Sequence, residues 1–181
     1  MPELTLRPSS NGDYNQSGVQ YPASGYHYDK VYDVNDGDTT YLETNNTNWL
    51  IEAFRHNSSL PIGDIQYVQV HATVRNYAQG QPAWIKFGVK AGGNFYWSAE
   101  QQIANGALAY HEKADTWYTD PSTGNPWGWA ALDPSSFQFA FAWRANYPNW
   151  KTRATSCWVT ISYNDPDVHP CNVGIGDFVV I

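Results

Sequence analysis

Four glutamates, Glu43, Glu52, Glu100 and Glu112, lie in or beside stretches that read as β-strands, from which a pair of carboxylates can face one cleft and divide acid and base roles. Their spacing singles out no such pair. The histidines His27, His56, His71, His111 and His169 fall in separate segments, with no i, i+4 pair and no Cys-x-x-Cys beside them, so neither a zinc site nor a general base is marked. No nucleophile elbow, phosphate loop or His-Glu-x-x-His run occurs. The expectation is a chain with no catalytic residue, no metal and no cofactor, and hence not an enzyme.

One acidic stretch invites a metal. "DVNDGDTTY" gathers Asp33, Asn35, Asp36 and Asp38 around Gly37, and hard cations favour several oxygens on a short bent loop. Its glycine stands one position early for the EF-hand spacing, and no glutamate closes the loop. A hairpin turn, with Asn, Asp and Gly supplying positive φ, is the reading preferred here; calcium binding by Asp33–Asp38 stays open. Cys157 and Cys171 are too few for a disulfide framework, and whether they bridge is open as well.

Aromatic residues are the stronger candidates. There are nine Trp and 13 Tyr, and "GGNFYWSAE" brings Phe95, Tyr96 and Trp97 together after a glycine pair. Trp84 and Trp158 fall on the polar faces of their strands. Exposed rings offer a large flat apolar area at low entropic cost, which suits stacking on sugars or anchoring a protein interface. Trp84, Tyr96, Trp97 and Trp158 are therefore candidate contacts to a glycan or a subunit, with packing beneath another strand as the alternative. The sequons at Asn15, Asn45 and Asn57 are what chance gives in an Asn- and Ser-rich β protein.

The elements that must hold these side chains are almost all strands. In "DIQYVQVHATVRNY", Val68, Val70, Ala72 and Val74 alternate with Gln69, His71, Thr73 and Arg75; in "AWIKFGVKAG", Ala83, Ile85, Phe87 and Val89 alternate with Trp84, Lys86 and Lys90. The "QGQP" between them predicts a hairpin. "SSFQFAFAWR" puts Phe137, Phe139, Phe141 and Trp143 on one side, and "TRATSCWVTISYN" groups Cys157, Val159, Ile161 and Tyr163. Shorter strands are expected at 4–7, 27–34, 39–44, 49–55, 94–98 and 107–118, and an apolar run at 173–181. Some ten short strands separated by Gly, Pro, Asn and Asp turns predict an all-β fold: a two-sheet antiparallel sandwich of the jelly-roll type. The stretch 119–139, "TDPSTGNPWGWAALDPSSFQF", is expected to cross between core strands, with a turn at Pro121 and Gly124, a helical turn starting at Pro126, and Trp127 or Trp129 plugging one end of the sandwich.

Length and charge narrow the classes of function. At 181 residues the chain fits one domain that needs no staple to fold. A net charge of −7 with no basic cluster argues against nucleic acid, and no window of about 18 apolar residues suggests a membrane span. "MPELTLRPSS" lacks the basic start and apolar core of a signal peptide.

The order "TDPSTG-NPWGWAALDPSSFQFAFAW", then "ATSCWVTISYN", with the opening "LTLRPSSNGDYNQ" and the acidic "DVNDGDTTYLET", resembles a family of jelly-roll β-sandwich modules found in bacteriophage virion structural proteins and some prokaryotic surface proteins. The resemblance spans residues 4–164. It implies a structural component of the particle surface, such as a capsid decoration or cement protein, head fibre or tail-associated module. The chain would then be made in the host cytoplasm and carried on the virion surface. It would bridge other capsid proteins and assemble as a homo-oligomer, a trimer by preference, with host surface glycans as further partners. The family pattern carries no catalytic residues. On this reading 1–164 is the sandwich, and 165–181 is an added edge strand or inter-subunit arm tipped by Phe178, Val179, Val180 and Ile181. The alternative is a carbohydrate-binding module or lectin using its exposed Trp and Tyr.

Overall fold

A computed structural model of the chain describes residues 1–33, 37–77, 81–104, 109–148 and 151–166. Among the described residues twelve strands follow one another: β1 Glu3–Leu6, β2 Ser10–Asn15, β3 Val19–Tyr21, β4 Tyr41–Thr44, β5 Leu50–Arg55, β6 Asp64–Asn76, β7 Ala83–Ala91, β8 Asn94–Trp97, β9 Gln101–Ile103, β10 His111–Trp117, β11 Gln138–Ala145 and β12 Thr152–Asn164. They form the two antiparallel sheets of a jelly-roll sandwich. The first sheet runs β10-β6-β12-β4-β3, with β1 beside β4 on the same edge of β12; the second runs β2-β5-β11-β7, with β8 and β9 sharing the far edge of β7.

The period-two faces read from sequence are the faces that pack. Val68, Val70, Ala72 and Val74 of the first sheet meet Ile85, Phe87, Val89, Phe139, Phe141 and Trp143 of the second, and all of them are fully buried. Phe141 and Trp143 meet edge to face at 5.2 Å, a geometry that suits the charge distribution of their rings. Each large side chain removed from water stabilises by roughly 1.5–3 kcal/mol, so this aromatic layer is the main driving force holding the sheets together.

Three expectations are corrected. β6 and β7 do not form a hairpin: β6 lies between β10 and β12, and β7 lies between β11 and the pair β8 and β9, so the connection crosses from one sheet to the other. Both strands bury one apolar face against the opposite sheet, and that burial is indifferent to which strand pairs along their edges, so neighbours in sequence need not be neighbours in the sheet. The strand expected at 27–34 is not formed over its described part, 27–33: His27–Lys30 forms a 3₁₀ turn, where the Asp29 carboxylate accepts the Tyr26 N–H at 3.2 Å, and Val31 is buried beyond it. The Val31 carbonyl accepts the Cys157 N–H at 2.9 Å beside the register shift between Ala154 and Ser156 of β12, so that it serves the sheet without joining it. Finally, the helical turn of the crossover is Trp129–Leu132 rather than one starting at Pro126.

The crossover itself runs from β10 in one sheet to β11 in the other, and it closes one end of the sandwich. Trp127 is buried and donates its indole N–H to the Trp117 carbonyl at 3.0 Å, while Trp129 donates to the Gly63 carbonyl at 2.7 Å. Both rings are thus oriented by their single polar atom and plug the core with the rest.

Candidate functional site

The outer face of the second sheet carries an unusual grid of residues. Register places Arg144 beside Trp84, then Ile51, Ala142 and Lys86 in the next row, then Ala53, Ala140, Gly88 and Trp97, then Gln138, Lys90 and Phe95. The middle of this face is made of alanine and glycine, and aromatic rings lie over it. A β-carbon added at Gly88 would sit 2.8 Å from Cε3 and Cζ3 of Trp97, closer than real contacts allow, so the indole lies across the glycine and no larger residue fits beneath. Phe95 runs nearly parallel to Trp97, with centroids 5.6 Å apart, and Tyr14 leans on Phe95 at 5.5 Å. Trp49, just ahead of β5, completes the set.

Lys86 stands among these rings. Its ammonium lies 4.7 Å from the centre of Trp49 and 5.2 Å from that of Trp97, so the two indoles are no further apart than those distances laid end to end. The Arg144 guanidinium lies 5.0 Å from Trp49 and reaches Glu100 at 3.5 Å. Cation–ring contacts of this kind are worth about 0.5–2 kcal/mol and hold flexible side chains in place.

The other end of the face is polar and partly roofed. Between Asn11 and Asn15 the pairing of β2 slips, and the intervening residues lap over the sheet. A β-carbon at Gly12 would collide with Gln138 and Ala53, which shows how closely this backbone lies on the face. The Asp13 N–H donates to Gln138 Oε1 and the Gln138 amide returns a bond to Asp13 Oδ1, each at 2.7 Å. Lys90 also pairs with Asp13, and Arg55 reaches it at 3.1 Å. The Lys90 hydrogen bond, then that of Gln138, hold the Asp13 carboxyl below its ordinary range against the opposing effect of burial. Beyond this strap, Arg55, Lys90, Gly92, Gly93, Ser135 and Ser136 line a pocket of about 310 Å³.

The outer face of the first sheet is different, because its rings and charges satisfy one another. Trp158 stacks on His71 at 4.7 Å and 6°, and the Arg7 guanidinium lies 5.3 Å from the same indole. His71 stands on β6 and Arg7 follows β1, strands that flank β12 on opposite edges, so both faces of Trp158 are covered. His71 donates Nδ1–H to Glu112 at 2.7 Å, and burial holds its imidazole below the ordinary value despite that carboxylate. Nearby, Arg153 lies over Tyr41 at 3.9 Å and bonds Glu43 and Asp38 at 2.8 Å, while Arg75 lies over Tyr77 at 3.7 Å and pairs with Asp38 at 3.2 Å. Burial raises the Asp38 carboxyl, but bonds from Tyr110 and Arg153 with the charge of Arg75 outweigh it and bring the group below its usual range. A carboxylate held by two guanidiniums is not offered to calcium. Residues 34–36 of that loop lie outside the described residues, and among those described no three His, Cys, Asp or Glu side chains gather as a metal site.

Of the sequence candidates, Trp84 and Trp97 share the outer face of the second sheet, whereas Trp158 sits on the other sheet and Tyr96 turns inward against the core. Phe178, Val179, Val180, Ile181, Cys171 and His169 lie outside the described residues; Cys157 is buried, and burial pushes its thiol up. The four glutamates do not converge. Glu43 pairs with Arg153 and Lys151, Glu100 with Arg144, Glu112 with His71, and Glu52, fully buried, with His27 at 2.9 Å. Trp49, Lys86 and Asp13 were not among the candidates. Lys86 shares a strand face with Trp84, a visible signal, but Trp49 precedes its strand and Asp13 acts from a slipped edge, which periodicity does not reveal.

No protein-family profile matches the chain, and no curated protein matches it. Solved structures similar to it include a xylan-binding module CBM15 (12% identity, 91% of this chain and 99% of that one, TM-score 0.46). Others are the CBM22-1 xylan-binding domain of Paenibacillus barcinonensis Xyn10C (12%, 90% and 95%, TM-score 0.45) and CBM35 of Cellvibrio japonicus Abf62 (10%, 91% and 99%, TM-score 0.44). At these identities and TM-scores the similarity says nothing of what this chain binds.

Proposed function

We propose that this chain is a glycan-binding module that binds without turnover, with its ligand lying on the outer face of the second sheet across Trp49, Lys86 and Trp97. The observation that carries this reading is the indole of Trp97 spread across Gly88. A ring seated on a glycine in this way turns its other face from the sheet, which is the posture needed to stack on the C–H face of a pyranose. Around it stand Lys86, Arg144, Asp13, Arg55 and Lys90, whose donors and acceptors match a ring of hydroxyls. An open face covers one side of a sugar, so dissociation constants on the order of 10 µM to 1 mM are expected, about −7 to −4 kcal/mol.

Binding to a glycan array tests it. Trp97→Ala should abolish the signal and Trp158→Ala should leave it, because Trp158 stands on the outer face of the other sheet, stacked on His71. Signal that survives Trp97→Ala, or that depends on Trp158 instead, places the ligand elsewhere.

The virion reading rests on the resemblance over 4–164 and on a terminal arm that lies, from residue 167, outside the described residues. It predicts co-purification with intact particles. The arrangement of Trp49, Lys86 and Trp97 favours the glycan reading, since a face built only for a subunit contact has no need of a cation lodged between two indoles.

A further inference from the structure

The charge on the proposed binding face differs from that of the chain. Arg55, Lys86, Lys90 and Arg144 stand on it against the carboxylates of Asp13 and Glu100, four cations to two anions, although the chain carries ten Lys and Arg, 17 Asp and Glu, and a net charge of −7. The excess is localised. Arg55 and Lys90 share Asp13, and Arg144 has Glu100 at a long 3.5 Å. Among the described residues no carboxylate lies within ion-pairing distance of Lys86, whose ammonium is held by Trp49 and Trp97 instead.

Ring quadrupoles orient an ammonium but do not neutralise it, and they take none of its three N–H donors. Were only the apolar stem needed to fill the space between two indoles, a methionine would serve without the cost of bringing a charge against apolar rings. Arg144 sits against the same Trp49 and adds to the local field. A sugar stacked on Trp97 or Trp49 would therefore bring its exocyclic substituents to a fixed, unneutralised cation. From this geometry we infer that the ligand is an acidic polysaccharide, one whose carboxylate or sulfate oxygens bind Lys86 while its rings stack on the flanking indoles. The inference rests on the glycan reading above and names the chemical class of its ligand.

The test is affinity electrophoresis of the intact chain through gels containing polygalacturonate (carboxylated), dextran sulfate (sulfated), or xylan and hydroxyethylcellulose (neutral). It is repeated with Lys86→Met, which keeps the apolar stem, and with Lys86→Gln. Retardation by at least one acidic polymer is expected, relieved by added salt and weakened about tenfold or more in both variants, as for loss of a charged hydrogen bond. Which acidic polymer responds distinguishes carboxylate from sulfate. Retardation by neutral polymers alone, acidic retardation that both variants keep, or an equal loss toward neutral polymers overturns the acidic ligand and leaves the glycan reading standing. No retardation by any polymer overturns both.

Discussion

Trp97 and Gly88 are directly paired across β8 and β7, and the indole occupies the space where any side chain at position 88 would stand. One residue supplies the platform and the other supplies the room for it. The backbone of Gly88 does not lie in the left-handed region, so alanine is conformationally acceptable there and its effect is purely steric. Gly88→Ala should keep the sandwich folded, cost about 1–3 kcal/mol by overpacking, and lift Trp97 from the sheet. Near-ultraviolet circular dichroism and glycan affinity should both change; an unaltered Trp signal with unaltered affinity contradicts the seating described.

The strap over this face is acid-sensitive. The Asp13 carboxyl is held below its ordinary 3.8 by Lys90 first and Gln138 next, so its contribution is fully present above the unfolded value and is lost as pH falls through the lower folded value. Binding and local protection from hydrogen exchange at 11–15 should fade only below about pH 4, and Asp13→Asn should remove that step. Loss of binding centred near neutrality in the wild type would point to other groups.

Two buried imidazoles set a second, milder window. His56 donates Nε2–H to the Leu132 carbonyl at 2.9 Å, and burial holds it below its ordinary 6.5; burial does the same to His71. Both are neutral in the fold, so stability is full above the unfolded value and declines as pH drops from there toward the folded values. Imidazole proton resonances followed by NMR should titrate below 6.5 for both residues, and unfolding midpoints in urea should fall over the same range. Titration of either ring above that value contradicts the assignment of burial as the dominant cause.

Glu52 makes a different point, because it lies two residues from Phe54 on the same face of β5, turns inward with it and is fully buried. Its Oε1 accepts the N–H groups of Gln16, at 2.8 Å, and Ser17, and its Oε2 meets His27 Nδ1 at 2.9 Å. Glu52→Ala leaves the buried Ser17 N–H without a partner and frees the His27 ring, while the Gln16 N–H keeps the Ile51 carbonyl at 3.1 Å, and it should cost about 1–3 kcal/mol, with loosened exchange protection at 17 and 27. A cost below about 0.5 kcal/mol would mean the network contributes nothing.

The faces of β6, β7, β11 and β12 were legible because a period of two is fixed by the pleat, and one apolar side chain in the wrong phase would be exposed. Partnership was not. Nothing in Val68–Val74 or Ile85–Val89 states which sheet each strand joins, since both are stabilised by burial against whatever lies opposite. The 27–34 segment is rich in Tyr and Val, residue types that favour strands, while the deciding bonds, from Tyr26 N–H to Asp29 and from Cys157 N–H to Val31, are local capping and a distant bulge. For the site, the pattern alone places Trp84, Lys86 and Trp158 outward, but it does not tell the adjacent Tyr96 and Trp97 apart. Only coordinates show that Arg7 and His71 take both faces of Trp158 and that Gly88 lies under Trp97.

The central claim is that a glycan lies on Trp49 and Trp97 of the second sheet, and the indole N–H resonances of the nine tryptophans test it most directly in one titration. Adding an oligosaccharide drawn from the polymer that retards the chain should shift the Trp49 and Trp97 signals together, with Trp127 and Trp158 unmoved. Shifts centred on Trp158 with Trp97 stationary, or no shift of any indole at saturating sugar, would contradict it.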